Sequence, residues 1–322
     1  MAELYYNKIM QTQSALSEIA VSSPTFSLSP EILSTLLRDR TSGRNILWAT
    51  DDYSPIPAKS EIKIEQITGE NSERIKPRVQ KQKSEQASRT RNKAEVFTPS
   101  WICNEQNNLV DEAWFARKNA FNFPDEKNSQ KWISTKEKII FDENAENKKT
   151  WRDYVNATRL EITCGEAPYL TSRYDTVTGA RIEIADRIGL LDRKLRVVRE
   201  NAQGEDEYFL CTKTAYQNCY GFELQGDNLF LARTNLLLSF FESTESFLRR
   251  KPSRLEQMEI AKIISWNLWQ MDGLTFKTPF SADGDEQPSL FAEFNEQENF
   301  PCKIMDWKES KIVQYKSLAK GR

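Results

Sequence analysis

Apolar positions along the chain recur with one period and then another, and each change marks an expected element. Residues 4–20 read as a helix. Ser29-Pro30 opens a second, with Ser29 as N-cap, Pro30 in the first turn and Gly43 beyond the end. Residues 45–50, NILWAT, predict a strand. Residues 61–67 alternate charged and apolar and predict a half-exposed strand. In AEVFTPSWICNEQNNLVDEAWFARKN, Thr98-Pro99 breaks a short strand and Ser100 caps a helix to about residue 119. Further helices are predicted at 151–156, 184–201, 227–250 and 254–269, and strands at 159–163 and 218–224. A short strand or turn at 275–280, a strand at 301–305 and a helix at 308–319 close the pattern. Strand and helix alternate from residue 95 onward, which predicts an α/β fold with a parallel sheet covered by helices. The expected organisation is a helical and strand region at 1–94 containing a basic segment, then a domain at 95–322 with an acidic loop at 281–300.

Composition narrows the chemistry. A length of 322 residues allows one large or two ordinary domains. With 39% hydrophobic and 29% charged residues, a soluble globular chain is expected. No apolar run approaches the ~20 residues of a membrane span, and MAELYYNKIM lacks the basic start and apolar stretch of a signal peptide. A cytoplasmic protein without membrane partners is therefore expected. The chain has no histidine, which excludes Ser-His-Asp and Cys-His catalysis and any histidine base. Cys103, Cys164, Cys211, Cys219 and Cys302 are scattered without a Cys-x-x-Cys pair, so no metal site is expected and the thiols should be reduced and buried.

Net charge is −2, unevenly spread. Between residues 74 and 93 stand Arg74, Lys76, Arg78, Lys81, Lys83, Arg89, Arg91 and Lys93 against the single acid Glu85. Such a run is either a solvated linker or a surface for nucleic-acid phosphates. The 281–300 segment, with six acids and no base, would be repelled by phosphate.

The stretch RLEITCGEAPYLTSRYD, residues 159–175, holds the most specific signal. A strand meets the turn Cys164-Gly165-Glu166-Ala167, which either cradles a cofactor, begins a base-flipping motif with Ala167-Pro168-Tyr169, or joins strand to helix. In a doubly wound sheet the ligand lies beyond the carboxyl ends of the strands, and the second strand commonly ends in an acid that grips ribose. Tyr220-Gly221-Phe222-Glu223 supplies such an acid, and Asp272-Gly273 a later one. No Gly-x-Gly-x-x-Gly or Walker loop occurs, so a nucleoside ligand without phosphates, S-adenosylmethionine, fits better than NAD or ATP.

These residues resemble adenine-specific DNA methyltransferases, in particular the modification subunits (subunit M) of restriction systems. Val96-Phe97-Thr98-Pro99 is similar to the family's Phe-Thr-Pro motif, which touches the methionine end of the cofactor. Glu161-Ile162-Thr163-Cys164-Gly165-Glu166-Ala167 resembles its cofactor loop, Asp-Pro-x-Cys-Gly-x-Gly, with Glu for Asp, Ile for Pro and Ala167 for the last glycine. Glu223 matches the ribose-binding acid, and Asp272 the acid that meets adenine. Ala232-Arg233-Thr234-Asn235-Leu236 resembles the family's Ala-Arg-x-Asn-Leu helix. The resemblance covers about residues 89–280. It implies a Rossmann-like S-adenosylmethionine-dependent methyltransferase fold and a cofactor site at Phe97, Thr98, Pro99, Glu161, Thr163, Cys164, Gly165, Glu166, Glu223 and Asp272. It also implies DNA as substrate and partner subunits of a restriction-modification system.

The sequence departs from the family at the catalytic loop. Adenine's amino group is a poor nucleophile, and the family activates it with an Asn/Asp-Pro-Pro-Tyr/Phe loop that accepts its hydrogens and stacks on the flipped base. No Pro-Pro pair occurs here. Glu166-Ala167-Pro168-Tyr169 is the nearest imitation, and Asp306-Trp307 stands where the loop is expected. The fold is expected to be incomplete toward the C-terminus. Three readings stand open: a partner subunit completes it, the chain is a truncated product, or it is a non-catalytic relative. A rival reading takes Asp51, Asp52 and Glu61-Ile62-Lys63 as the skeleton of a magnesium-dependent nuclease.

Overall fold

The computed structural model describes residues 28–141, 149–281 and 300–319, so the expected 4–20 helix and nearly all of the acidic 281–300 segment lie outside the described residues. The chain is mixed α and β, with a small parallel sheet at its centre. Its strands are β3 (Arg159–Glu161), β4 (Cys219–Glu223) and β5 (Leu268–Gln270), in that spatial order. Arg159 is paired with Cys219 and Gly221 with Leu268, so the three carboxyl ends lie side by side. Parallel neighbours need crossovers. Helices α5 (Leu190–Asn201) and α6 (Glu205–Gln217) join β3 to β4, and α7 (Gly226–Leu248) and α8 (Arg254–Asn267) join β4 to β5.

Helix α1 (Pro30–Leu37) begins as the sequence implies, with Ser29 Oγ accepting the Ile32 N–H. Helix α2 spans Lys83–Lys93, and α3 spans Ser100–Phe115. Helix α4 is Trp151–Asn156, closed by a capping box between Thr150 and Asp153. Ser100 does not cap α3. Its N–H donates instead to Asp175 from a distant loop, at 2.7 Å. The 61–67 stretch forms no strand: Glu61 makes one bridge to Leu47, and Ile64–Gln66 curls into a 3-10 turn. Residues 45–50 likewise make only isolated bridges. The expected strand at 301–305 appears as β6 (Lys303–Asp306), but its antiparallel partner β7 (Lys311–Gln314) and the hairpin of β1 (Asn122–Asp125) with β2 (Asn128–Ser134) were not expected. The last predicted helix shrinks to α9, Tyr315–Ala319, because β7 occupies its first half.

Helix α7 is the hub. Sixteen of its 23 residues are buried, so its polar side chains must find protein partners. Arg233 donates to the carbonyls of Leu36 and Arg38 at the end of α1, and to Ser265 and Leu268 at the end of α8. A guanidinium beside two helix C-termini satisfies carbonyls that have no partner within their helices. One hydrophobic cluster runs from Leu28 and Ile32 through Trp48 and Ile62 to Leu229, Phe240 and Ile264, so residues on both sides of position 94 share a core. All five cysteines are free and buried.

Candidate functional site

The carboxyl ends of the three parallel strands open into a cleft of about 630 Å3. Its walls come from residues 93–98, 161–165, 168–169, 222–225, 228 and 271–274. Eight of the ten residues singled out in the sequence stand on it: Phe97, Thr98, Glu161, Thr163, Cys164, Gly165, Glu223 and Asp272. Two do not. Pro99 is the N-cap of α3. Glu166 turns into the core, where its carboxylate accepts the Arg78 N–H and the Tyr174 hydroxyl, each at 2.6 Å. Burial lifts the Glu166 pKa to about 7.

The turn after β3 is wound left-handed at alternate residues, with φ of +48° at Thr163, +53° at Gly165 and +63° at Ala167. Only glycine adopts that region without cost, and a β-branched threonine there is unusual. The turn is stitched to β4: the Cys164 N–H donates to the Phe222 carbonyl at 2.8 Å, and the Gly165 N–H to Glu223 Oε2 at 2.9 Å. Gly221 permits this approach, since a Cβ there would stand 3.3 Å from Cys164 Sγ. Asn235 of α7 donates to the Glu166 carbonyl at 3.1 Å and fixes the turn from below.

Glu223 is held at the end of β4 by three N–H groups, since Oε1 also accepts from Leu224 at 3.0 Å and Gln225 at 3.1 Å. Burial raises its pKa, and the three donors oppose that rise. Glu161 accepts the N–H groups of Tyr169 and Leu170. Burial dominates and pushes its pKa to about 8, with the Glu223 charge adding to the rise. Asp272 Oδ1 accepts the Leu274 N–H at 2.8 Å. Four acidic side chains, Glu95, Glu161, Glu223 and Asp272, line the cleft against one cation, Lys93, whose Nζ lies 2.7 Å from Asp52; Glu161, with its pKa near 8, is mostly protonated at neutral pH, and Glu95 is paired with the buried Arg89. Such a lining disfavours a phosphorylated ligand and favours a cationic one. Val96, Ile162, Leu224 and Leu274 are exposed apolar side chains, and all four stand on this cleft, where they offer cover for a flat ring.

The basic run is not one exposed surface. Lys81 and Arg89 are buried in a charge cluster under the cleft and are withdrawn from any phosphate. Arg89 reaches Asp52 at 2.6 Å, Glu95 at 2.6 Å and Asp227 at 2.9 Å, and Lys81 reaches the same Asp227 oxygen at 3.1 Å. Local composition gave little sign of this, because Asp52 and Asp227 lie far away in the chain and only Glu95 is near, six residues from Arg89. Arg74 donates to the Gln66 carbonyl and Asn71, Lys76 pairs with Glu73, and Arg78 lies over the Phe97 ring. Lys83 and Arg91 remain exposed.

Asp306 and Trp307 lie off the cleft, at the tip of the β6–β7 hairpin. Asp306 Oδ1 accepts two backbone N–H groups there, and the Trp307 indole donates to Asn267. The nuclease skeleton is not assembled: Asp52 is engaged by Arg89 and Lys93, while Glu61 accepts the Asn45 N–H. Among the described residues no group of three His, Cys, Asp or Glu is placed to hold a metal ion. Among them, too, no helix is long and apolar enough to cross a membrane. Sequence reading missed Glu95, Gln225 and Asn228 as cleft residues. Their one available signal was position, directly beside the Phe97-Thr98 motif and just after Glu223.

Comparison of the chain with protein-family models, curated proteins and solved structures gives no match.

Proposed function

We propose that the cleft binds S-adenosylmethionine, and that the chain is a Rossmann-like modification subunit for DNA adenine methylation in a cytoplasmic restriction-modification system. The observation that carries this is the convergence of residues from four distant stretches, each resembling one part of the same cofactor site, on an acidic cleft at the strand ends. In this reading Glu223 accepts ribose hydroxyls and Asp272 accepts from the adenine edge. Leu224 and Leu274 cover the ring faces, and the residues around Phe97 and Thr98 meet the methionine end. The sulfonium charge of the cofactor suits a lining of four acidic residues and a single cation.

Calorimetric titration of S-adenosylmethionine into the chain and into Glu223→Ala tests the reading. Loss of hydrogen bonds to a carboxylate should weaken binding about tenfold or more. Equal affinity in the two proteins, or no binding by the wild type, overturns it.

A second reading, a non-catalytic cofactor- or DNA-binding subunit that needs a partner chain for activity, draws support from the catalytic residues. The sequence has no Pro-Pro pair, and Asp306-Trp307 lies off the cleft. Methyl transfer to unmethylated DNA by the purified chain alone would overturn this second reading. Activity that appears only with a co-expressed partner would favour it.

A further inference from the structure

Strand β3 is an open edge of the parallel sheet. It pairs with β4 on one side, and among the described residues no strand pairs with the other. The Arg159 N–H donates to the Asn218 carbonyl at 2.9 Å, so the alternation of the ladder turns the N–H and C=O of Leu160 away from β4. Such an edge is a template for a further strand. The same strand is bare on one face, where Leu160 is 43% exposed and Ile162 65%. On that face α9 covers β4 and β5 instead: the Tyr315 ring lies 6.0 Å from Phe222 and 5.0 Å from Trp269. A groove of about 610 Å3 runs along the face, walled by Leu160, Tyr220, Met305, Trp307, Tyr315 and Leu318. Its lining comes from the sheet strands and the residues just before them, the β6–β7 hairpin and α9, so no described residue walls it beyond β3.

Parallel sheets occur almost only with both faces covered, and β3 lacks cover on one. We infer that the β3 edge takes an extended segment of another protein chain, apolar along its middle and acidic at its flanks, which pairs with Leu160 and supplies the missing wall of the groove. The open backbone groups select an extended occupant. A helix satisfies its own N–H and C=O groups internally and would leave those of Leu160 unmet, whereas an added strand lies about 4.8 Å from β3 and bonds to them. Charge selects the flanks. Lys308 lines the groove, Lys311 is paired across the hairpin with the lining residue Asp306, and Lys316 follows Tyr315; all three lysines are exposed. Against them stand Asp306 and Glu309, and Asp306 Oδ1 is already occupied by two backbone N–H groups. Acidic flanks on the incoming segment match this excess of cations. Groove and cleft share Ile162, so the segment would lie beside the cleft. The inference goes beyond the cofactor reading and does not rest on it.

The probe is a fluorescein-labelled peptide, Asp-Glu-Val-Thr-Ile-Thr-Val-Glu-Asp, titrated with the full chain and read by anisotropy. Two derivatives carry backbone N-methyl groups, one on the Val and Ile residues and one on the Thr residues. A strand bonds a single edge through alternate residues, so one methylated set should weaken binding about tenfold or more while the other leaves it unchanged. A peptide with Lys in place of its acids should bind more weakly than the parent. In the wild-type complex the Leu160 amide should gain protection from hydrogen exchange. Leu160→Asp and Leu318→Asp, both at exposed positions, should each weaken the parent peptide. No binding by the wild-type chain overturns the inference. Equal binding by both methylated peptides overturns strand pairing, and equal binding by the Lys-flanked peptide overturns the acidic partner. Self-association of the chain in sedimentation, abolished by Leu160→Asp and competing with the peptide, makes the occupant a second copy and overturns the inference too. Titration of S-adenosylmethionine is a separate measurement, so each reading fails on its own result.

Discussion

Gly165 illustrates how a single position is constrained by dihedral angle rather than by space. A Cβ there would meet the Phe97 ring at an ordinary 3.5 Å, yet φ is +53°. Gly165→Ala should therefore cost about 1–2 kcal/mol, the left-handed penalty, measured as a lower urea midpoint. The neighbouring Ala167, which stands where the resembling family has glycine, already carries a conformation of this kind at φ +63°. Glu161 is constrained by charge. Its folded pKa of about 8 lies above the usual ~4.3 of an unfolded glutamate. The folded chain therefore holds this proton more tightly than the unfolded chain. The resulting stability is fully present below about pH 4.3 and is lost as pH rises toward 8. Glu166, with a folded pKa of about 7, acts in the same direction. Glu161→Gln should flatten the stability profile between these limits, as read from melting temperatures across the window.

Elements are joined here by charge and close approach as well as by the core. Helix α2 is pinned to the start of α7 through Arg89 and Asp227. Burial alone would raise the Asp227 pKa, but Lys81 and Arg89 hold it well below the ordinary carboxylate range. Its contribution to stability is thus present above the unfolded value of about 3.9 and is lost as pH falls below it. Asp227→Asn should cost about 3–5 kcal/mol at neutral pH, because it leaves two buried cations short of a partner. Chemical denaturation at pH 7 measures that loss. The 47–48 segment is tied to the same helix start, since the Gly226 N–H donates to the Trp48 carbonyl at 3.0 Å. A Cβ on Gly226 would lie 1.9 Å from the Leu47 carbonyl oxygen. Gly226→Ala should then lose about 1–3 kcal/mol through forced backbone displacement.

Across the whole molecule, the cleft lies where the N-terminal region and the parallel sheet share one core, so its inner wall depends on both. Cleft and basic run also make opposite electrostatic demands. The cleft repels phosphate, and most of the run's cations are engaged within the protein. If the chain binds DNA, the phosphate contacts fall to exposed residues such as Lys83 and Arg91. With a slope of about −0.9 per contact, Lys83→Ala/Arg91→Ala should flatten the log–log salt dependence of binding by about 2. An unchanged slope in a fluorescence titration would remove these residues from the interface.

What was legible in the sequence is what short-range physics controls. The Ser29 cap of α1, the helices at 151–156, 227–250 and 254–269, and the β4 run all follow from neighbours a few residues apart. Cofactor-site residues were legible as types in an order, and eight of ten meet in the cleft. Residues 61–67 were misread because alternation describes a strand only if a partner strand is present, and here a single bridge is all that forms. The helix Glu205–Gln217 escaped because its buried side is short and mixed with polar residues. The fate of Lys81, Arg89, Glu166 and Asn228 was decided by tertiary structure alone. Burying a charge or an amide is tolerable only beside its partner, and Asp227 lies 146 residues from Lys81, within reach only in the folded chain.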